Sequence, residues 1–179
     1  MIRIIGCVYL HKISQSNFRT MSHKVFVYGT LKRNEPNHHW LKSPENGASK
    51  FIAEGTTQTK YPLIIATRYN IPFLLHSPGD GHHVQGEVYE VDDLMLSKLD
   101  ILEDHPNYYV REMDDIIIEQ QGNRKESSKC WVYFLKNFKR EILSRPKMAN
   151  YSSSGSHGLP YLESDNESTI EDLDDILKK

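Results

Sequence analysis

Cysteine is scarce in this chain, with 2 in 179 residues. Cys7 lies in an N-terminal stretch and Cys130 in an apolar run, so we expect no structural disulfide. Cys130 is predicted to be a small buried hydrophobe. Long hydrophobic runs are also missing, since no segment approaches the roughly 18 apolar residues that cross a bilayer. We therefore predict no membrane partner and a reducing compartment such as the cytoplasm.

An excess of charge of one sign is missing as well. The chain has 22 Lys and Arg against 24 Asp and Glu, which gives a net charge of −2. Such a balance offers no basic surplus to attract nucleic acid or an anionic membrane. The hydrophobic content of 38% can fill one core. These features favour a single domain with tails and predict no nucleic-acid partner.

Sequence motifs for metal binding and for serine hydrolysis are absent. The adjacent pairs His38-His39 and His82-His83 would point to opposite faces of extended backbone. No H-x-x-x-H or C-x-x-C spacing supports zinc. The serines at 152–154 lack a G-x-S-x-G context. We therefore predict no metal site and no serine nucleophile.

Strand-like patterns outnumber helical ones along the chain. One amphipathic helix is predicted, capped by Asp92 or Asp93, with Leu94, Met95, Leu99 and Leu102 facing the core. A short helix is expected near residues 38–41. Without regular alternation of strands and helices, the pattern favours an α+β fold with a mixed or antiparallel, partly closed sheet and flanking short helices. The predicted strands are residues 25–27, 51–56, 61–67 (after a turn), 73–76, 84–91, 108–118 and 129–135, the last two joined by a loop at 120–128.

The end of the first strand is a candidate anion site. The apolar run at residues 25–27 continues into Tyr28, Gly29, Thr30 and Leu31. Gly29 lets the backbone approach another group closely, and backbone N–H groups nearby can donate without a cationic side chain. Such a corner suits the carboxylate of a substrate.

The literal string Tyr28-Gly29-Thr30-Leu31-Lys32-Arg33, with Pro36-Asn37-His38 after it, resembles the opening of the γ-glutamylcyclotransferase-like family, and of its γ-glutamylamine cyclotransferases in particular. Later segments resemble the family in the same order and at similar spacing. They are residues 61–65, 70–76, 86–92, 99–103 with Tyr109 and Arg111, and 151–161. The resemblance therefore runs from about residue 25 to residue 161.

Two departures from the family pattern are visible. Asn34 stands where relatives often have glycine, and asparagine adopts a left-handed turn more readily than most residues. Leu102 stands where an aromatic residue often precedes the family's glutamate, which concerns the shape of the pocket more than its chemistry.

The resemblance implies both a fold and a reaction. It implies a small barrel-like core, and an attack by the α-amine of a γ-glutamyl amide on its own γ-carbonyl, which releases 5-oxoproline and an amine. Glu103 would be the catalytic base and then acid, and Tyr28, Gly29, Thr30 and Leu31 would hold the α-carboxylate. No cofactor is implied, and the only partner implied is the small-molecule γ-glutamyl amide.

Two glutamates compete for the catalytic role. Without the resemblance, Glu103 would be interpreted as a solvent-facing charge at a helix end. Glu87 is the second candidate, and its ordinary interpretation is a polar residue on the exposed face of a strand. The resemblance favours Glu103.

Several alternatives remain open. The leading hypothesis is a γ-glutamylamine cyclotransferase acting on γ-glutamyl-ε-lysine; the others are a γ-glutamylcyclotransferase acting on γ-glutamyl-α-amino acids and an inactive binding module. We divide the chain into an extension (1–22), a cyclotransferase-like domain (23–161) and a solvated acidic tail (162–179). The extension fits a mitochondrial transit peptide or an upstream start before Met21, and a monomer is favoured.

Overall fold

The computed structural model describes residues 22–120, 124–163 and 176–177. Eight strands and two α-helices are found there. In chain order they are β1 (His23–Val27), α1 (His39–Lys42), β2 (Ser49–Tyr61), β3 (Leu63–Ala66), β4 (Ile71–Leu74), β5 (His82–Val91), α2 (Asp93–Leu102), β6 (Tyr109–Gln120), β7 (Arg124–Leu135) and β8 (Lys147–Met148). Short 3₁₀ helices span Pro44–Asn46 and Arg140–Ser144.

Five of the strands form a closed barrel in the order β1-β5-β2-β6-β7. The neighbours β1–β5, β5–β2, β2–β6 and β6–β7 are antiparallel. A parallel contact between β1 and β7, which pairs Val25 with Trp131, closes the ring. The prediction of an α+β fold with a mixed, barrel-like sheet is confirmed.

A second sheet of three strands, in the order β4-β3-β8, packs beside the barrel. A parallel bridge between Leu75 and Leu135 connects it to β7. The backbone N–H of His76 also donates to the carbonyl oxygen of Leu135 at 2.9 Å. This junction holds the end of β4 against the end of β7.

Strand β1 of the barrel is buried on both faces. Val25 and Phe26 are adjacent in β1 and almost fully buried, but they belong to two different hydrophobic clusters. Successive side chains of a strand point to opposite faces, so each face of β1 has its own core. Helix α2 contributes Met95, Leu96 and Leu99 to the same cluster as Val25.

Helix α2 begins as its sequence predicts. The side chain of Asp92 accepts a hydrogen bond from the backbone N–H of Met95 at 2.8 Å, and this satisfies one donor of the first turn. The predicted core-facing stripe was wrong at Leu94, which is only half-buried, whereas Leu96 is buried. Asn34 has a φ of +65°, which confirms the expected left-handed turn.

Strand β2 is longer than predicted, and the expected turn at 57–60 was wrong. The strand continues to Tyr61, and an irregularity between Thr56 and Lys60 absorbs the break in the pattern. The buried hydroxyl of Thr57 accepts the backbone N–H of Val84 at 2.8 Å, which ties this irregular part to β5. The polar residue is therefore part of the sheet and not of a loop.

Other strand boundaries also differ from the prediction. The predicted loop at 120–128 is too long, because β7 begins at Arg124 and pairs Glu126 with Ile118 and Ser128 with Ile116. Strand β4 lies two residues earlier than predicted, and β3 ends before Thr67. Thr67 has a φ of +64°, which ends the strand in a turn.

Several expectations concern particular segments. Cys130 is free and fully buried, as predicted. Of the described residues, none belongs to a helix that is long and apolar enough to cross a membrane. The predictions for the extension at 1–22 fall outside the described residues except at Ser22, and those for residues 164–175 and 178–179 of the tail fall outside them entirely.

Candidate active site

Tyr28, Gly29, Thr30 and Leu31, called the corner below, follow β1 directly. The backbone turns here, because the N–H of Lys32 donates to the carbonyl oxygen of Gly29 at 3.2 Å. A Cβ atom on Gly29 would lie 2.8 Å from Cγ of Pro72 in β4. Glycine is therefore required for close packing between the corner and β4, which confirms the close approach predicted at this position.

The corner offers unused hydrogen-bond donors. Within the described residues, no acceptor takes the backbone N–H of Gly29, Thr30 or Leu31. The carbonyl oxygens of the same three residues are used, since Gly29 accepts from the N–H of Lys32, Thr30 accepts from the N–H of Asn37 at 3.0 Å and Leu31 contacts the ring of His38 at 2.9 Å. The corner therefore presents donors and not acceptors, as an anion site requires.

Buried polar contacts hold the corner in place from behind. Lys32 is 8% exposed, and its Nζ donates to Oδ1 of Asn150 at 2.7 Å and to the carbonyl oxygen of Tyr151 at 2.5 Å. Burial lowers the pKa of Lys32. On the next residue, the backbone N–H of Arg33 donates to Oε2 of Glu87 at 2.9 Å. Both residues fix the backbone that leaves the corner.

Glu103 caps the C-terminus of α2. Its backbone N–H donates to Leu99 at 2.9 Å, and its carbonyl oxygen accepts from the N–H of Tyr109 at 3.3 Å, so the main chain is held on both sides. The side chain is half-buried and faces a cavity. Burial raises the pKa of its carboxyl to about 7. The expectation of a solvent-facing charge, which the residue pattern alone gave, is therefore wrong.

Aromatic side chains enclose Glu103. Phe73 of β4 stacks on Tyr109 of β6 with ring centroids 6.1 Å apart, and Tyr108 meets Tyr109 edge to face at 4.9 Å. The negative charge of Glu103 is close enough to raise the pKa of the Tyr108 hydroxyl, although burial is the larger cause. A carboxyl surrounded by rings loses hydration, which explains its raised pKa.

The predicted residues line one cavity of about 500 Å³. Tyr28, Gly29, Thr30 and Leu31 contribute one part of its lining, and Glu103 contributes another. Among the described residues that line the cavity, none is lysine, arginine or histidine. The further lining residues include Asn37, Thr67, Tyr69, Ile71, Pro72, Phe73, Leu102, Asp104, Asn107, Tyr108, Tyr109, Tyr133 and Leu177.

Some of these residues have no recognisable signal in the sequence. Tyr133 and Leu177 lie far from Glu103 along the chain and reach the cavity only through the fold. Leu177 belongs to the tail that was expected to be solvated, and its neighbour Ile176 is instead 1% exposed in the core. Tyr109, Ile71, Pro72 and Phe73 are candidates for the pocket lining from the sequence, although core packing explains them equally well, and all four line the cavity.

Glu87 lies outside this cavity and is not on an exposed face, so the ordinary interpretation was wrong. It is 7% exposed and accepts hydrogen bonds from Nε of Arg33 and from the hydroxyl of Tyr89, each at 2.8 Å. Burial by itself would raise its pKa, but the hydrogen bonds from Arg33 and Tyr89 outweigh burial and hold the pKa below its usual value. A carboxylate that these hydrogen bonds hold ionised is a weak base near neutral pH.

The described residues contain no group of three or more His, Cys, Asp or Glu side chains that could hold a metal ion. The expected absence of a cofactor stays a prediction. The cavity has uncharged backbone N–H donors at the corner, and at Glu103 it has a carboxyl with a pKa of about 7. Such a pair can hold an anionic substrate and move protons.

Comparison with known proteins gives a consistent result. Residues 25–153 match the model of a family described as "Gamma-glutamyl cyclotransferase, AIG2-like". A Drosophila melanogaster protein, provisionally named a γ-glutamylcyclotransferase, is 54% identical over 134 residues, or 75% of this chain and 83% of that protein. The γ-glutamylaminecyclotransferase of Rattus norvegicus is 44% identical over 144 residues, or 79% of this chain and 96% of that protein.

A solved structure has the same fold. The crystal structure of an AIG2-like protein from Mus musculus superimposes with a TM-score of 0.75 and 41% sequence identity. The match covers 80% of this chain and 97% of the mouse chain.

Proposed function

This chain belongs to the γ-glutamyl cyclotransferase, AIG2-like family, and on that premise we propose that it is a γ-glutamylamine cyclotransferase. It would convert a small-molecule γ-glutamyl amide, such as γ-glutamyl-ε-lysine, into 5-oxoproline and a free amine. The observation that carries the proposal is the presence of Glu103 and the corner on one cavity. Glu103 would act on the protons, and the corner would hold the substrate.

The corner would bind the α-carboxylate of the substrate. Its backbone N–H groups at Gly29, Thr30 and Leu31 have no acceptor within the described part of the chain. Amide donors held by a rigid backbone need no reorganisation when an anion arrives. Fixing the α-carboxylate also fixes the adjacent α-amine, which is the nucleophile.

The nucleophile and the electrophile belong to the same molecule. Attack of the α-amine on the γ-carbonyl carbon closes a five-membered ring, so the enzyme has to select a folded conformer of the substrate. Well-oriented intramolecular reactions gain about 7–11 kcal/mol over their bimolecular counterparts. The apolar lining at Ile71, Pro72 and Phe73 gives the folded substrate a surface to pack against.

Proton transfer is the remaining task, and it balances between two nitrogens. The α-ammonium group of the substrate loses two protons when it becomes the lactam nitrogen of 5-oxoproline. The amide nitrogen gains two protons when it leaves as an ammonium group. Glu103 would carry them one at a time. As carboxylate it takes a proton before the attack, and as carboxylic acid it gives that proton to the leaving nitrogen. A pKa of about 7 makes both forms available near neutral pH.

The charge of the cavity favours an amine leaving group over an α-amino acid. An α-amino acid would place a second carboxylate one carbon from the scissile nitrogen. The described lining residues include Glu103 and Asp104 but no cationic side chain to balance that charge. In γ-glutamyl-ε-lysine the second carboxylate lies at the far end of a four-carbon chain, so it can remain in solvent.

The decisive experiment measures 5-oxoproline release from γ-glutamyl-ε-lysine by the parent protein, Glu103→Gln and Glu87→Gln. Glutamine keeps the shape of the side chain and cannot accept the proton. We expect turnover by the parent, a loss of kcat of about 10²–10⁴-fold in Glu103→Gln, and turnover close to the parent in Glu87→Gln. Circular dichroism of each variant checks that it is folded.

Other outcomes contradict specific parts of the proposal. Equal turnover by the parent and Glu103→Gln would exclude Glu103 as the base. Release of 5-oxoproline from γ-glutamyl-alanine alone would replace the amine specificity with γ-glutamylcyclotransferase activity on α-amino acids. A folded parent that cyclises neither substrate would support the inactive binding module.

A further inference from the structure

The C-terminal segment is fixed to the domain at Ile176 and reaches the cavity at the adjacent Leu177. Ile176 is 1% exposed and packs in the cluster that contains Val25, Met95 and Phe73. Its carbonyl oxygen accepts a hydrogen bond from the backbone N–H of Lys139 at 2.8 Å. Side chain and main chain of Ile176 are therefore both fixed to the body of the domain.

Leu177 is positioned by this anchor. It is partly buried, packs against the same cluster as Ile176 and lines the cavity together with Leu102 and Glu103. An apolar side chain at the wall of a binding cavity contacts whatever occupies the adjacent space. A residue of the acidic tail is thus part of the active-site wall.

We propose that Leu177 is a specificity-determining residue that contacts the alkyl chain of the leaving amine. This inference rests on the proposed function. The corner holds the α-carboxylate and Glu103 serves the reacting carbonyl, so the rest of the cavity remains for the amine. The methylene groups of an ε-lysyl or alkylamine leaving group are apolar and match the leucine side chain. Each methylene group buried in such a contact improves binding by about fourfold.

The test compares Leu177→Ala with the parent on γ-glutamyl amides of increasing length: methylamide, n-butylamide and ε-lysine. We expect KM to rise about fivefold to tenfold for the two long substrates and less than twofold for the methylamide, because only a long chain reaches residue 177. Leu162→Ala is the matched control, since Leu162 is 50% exposed and lies outside the cavity lining. It should leave all three KM values unchanged.

The failure of this inference can be distinguished from the failure of the proposed function. A parent that releases no 5-oxoproline from any of the three amides overturns the proposed function, and the role of Leu177 with it. A parent that turns over all three while Leu177→Ala shifts none of the KM values, or shifts all three equally, overturns the role of Leu177 alone.

A second measurement does not need activity. Leu177→Cys and Leu162→Cys, each in a Cys7→Ser background, are labelled with a small maleimide; Cys130 is fully buried. Labelling of Leu177→Cys at least tenfold slower than that of Leu162→Cys supports the anchored position. Equal labelling rates would show that residue 177 is not held in the wall and would overturn the inference.

Discussion

The hydroxyl of Tyr28 donates a hydrogen bond to the backbone carbonyl oxygen of Tyr133 at 2.8 Å, inside the cavity wall. This bond joins the end of β1 to β7, the two strands whose pairing closes the barrel. The hydroxyl is therefore hydrogen-bonded within the fold, so the donors that the corner offers to the cavity are its backbone N–H groups. Burial, which is the largest cause, and the charge of Glu103 raise the pKa of Tyr28, so it remains a neutral donor.

Two tyrosines of the cavity form a matched pair for a stability test. The Tyr28 hydroxyl has an acceptor, whereas the buried Tyr108 hydroxyl has no hydrogen-bond partner within the described residues. We expect Tyr28→Phe to lower the free energy of unfolding by about 1 kcal/mol, and Tyr108→Phe to leave it unchanged or raise it slightly. Urea denaturation of both variants measures this. Equal losses would mean that the Tyr108 hydroxyl also has a partner in solution.

Activity should depend on pH through Glu103. Burial raises the pKa of Glu103 to about 7, and the first proton transfer needs the carboxylate. We expect kcat/KM to rise with pH and to level off above an apparent pKa near 7. The profile should be measured on γ-glutamyl-ε-lysine from pH 5 to 9. An acid limb near 4.5 would mean that Glu103 is hydrated in the free enzyme or is not the base.

Stability should also depend on the protonation of Glu103, but it should fall as the pH rises, whereas activity should increase. A raised pKa means that the folded chain binds the proton more tightly than the unfolded chain does. The stability that neutral Glu103 contributes is present below its ordinary value of 4.5 and is lost as the pH rises towards about 7. We expect the free energy of unfolding of Glu103→Gln, relative to that of the parent, to increase by about 1–3 kcal/mol as the pH rises through this range. Denaturation at pH 4 and pH 8 checks the difference.

Glu87 should respond to pH in the reverse direction. Although burial opposes it, hydrogen bonds from Arg33 and Tyr89 hold the pKa of Glu87 below its usual value, so its contribution to stability is present above pH 4.5 and lost in acid. We expect Glu87→Gln to be less stable than the parent by about 1–2 kcal/mol at pH 7, with a smaller difference at pH 3. The acid limb of its activity profile should match that of the parent, and a shifted limb would give Glu87 a part in proton transfer.

Gly29 should be essential for substrate binding. An added Cβ would lie 2.8 Å from Cγ of Pro72, so Gly29→Ala must displace either the corner or β4. We expect KM for γ-glutamyl-ε-lysine to rise about tenfold or more. Gly79→Ala is the control, because Gly79 has a φ of +92° and no neighbour within 4 Å of its added Cβ. It should lose stability and retain the parent KM. An unchanged KM in Gly29→Ala would contradict the role of the corner.

The residues of the site that could be predicted from the sequence are those within short, recognisable strings. Glu103 and the corner both lie in such strings, and the structure brings both to one cavity; their roles in binding and catalysis stay predictions. The burial of Glu87 could not be predicted, because its partner Arg33 lies 54 residues away along the chain. The place of Leu177 in the cavity could not be predicted for a similar reason, since the hydrogen bond from Lys139 to the neighbouring Ile176 joins distant parts of the chain.

The fold class was predictable because period-2 patterns mark most strands and Asp92 marks the start of α2. The predicted strand boundaries were less accurate where polar residues continue the hydrogen-bonded pairing between two strands. The sequence pattern predicts a turn at Thr57, but its hydroxyl accepts the backbone N–H of Val84 in place of a regular backbone hydrogen bond. Closure of the barrel through Val25 and Trp131 depends on a pairing that no local pattern records.

The neutral character of the corner has a kinetic consequence. Amide donors have fields that fall off within a few ångströms, whereas a cationic side chain attracts an anion from a distance set by the ionic strength. Because the described lining of the cavity holds no lysine, arginine or histidine, we expect an anionic substrate to arrive without electrostatic attraction from the lining. The association rate constant of the substrate should then be nearly the same in dilute buffer and at physiological salt. It should also be lower than the rate constant that electrostatic steering would give.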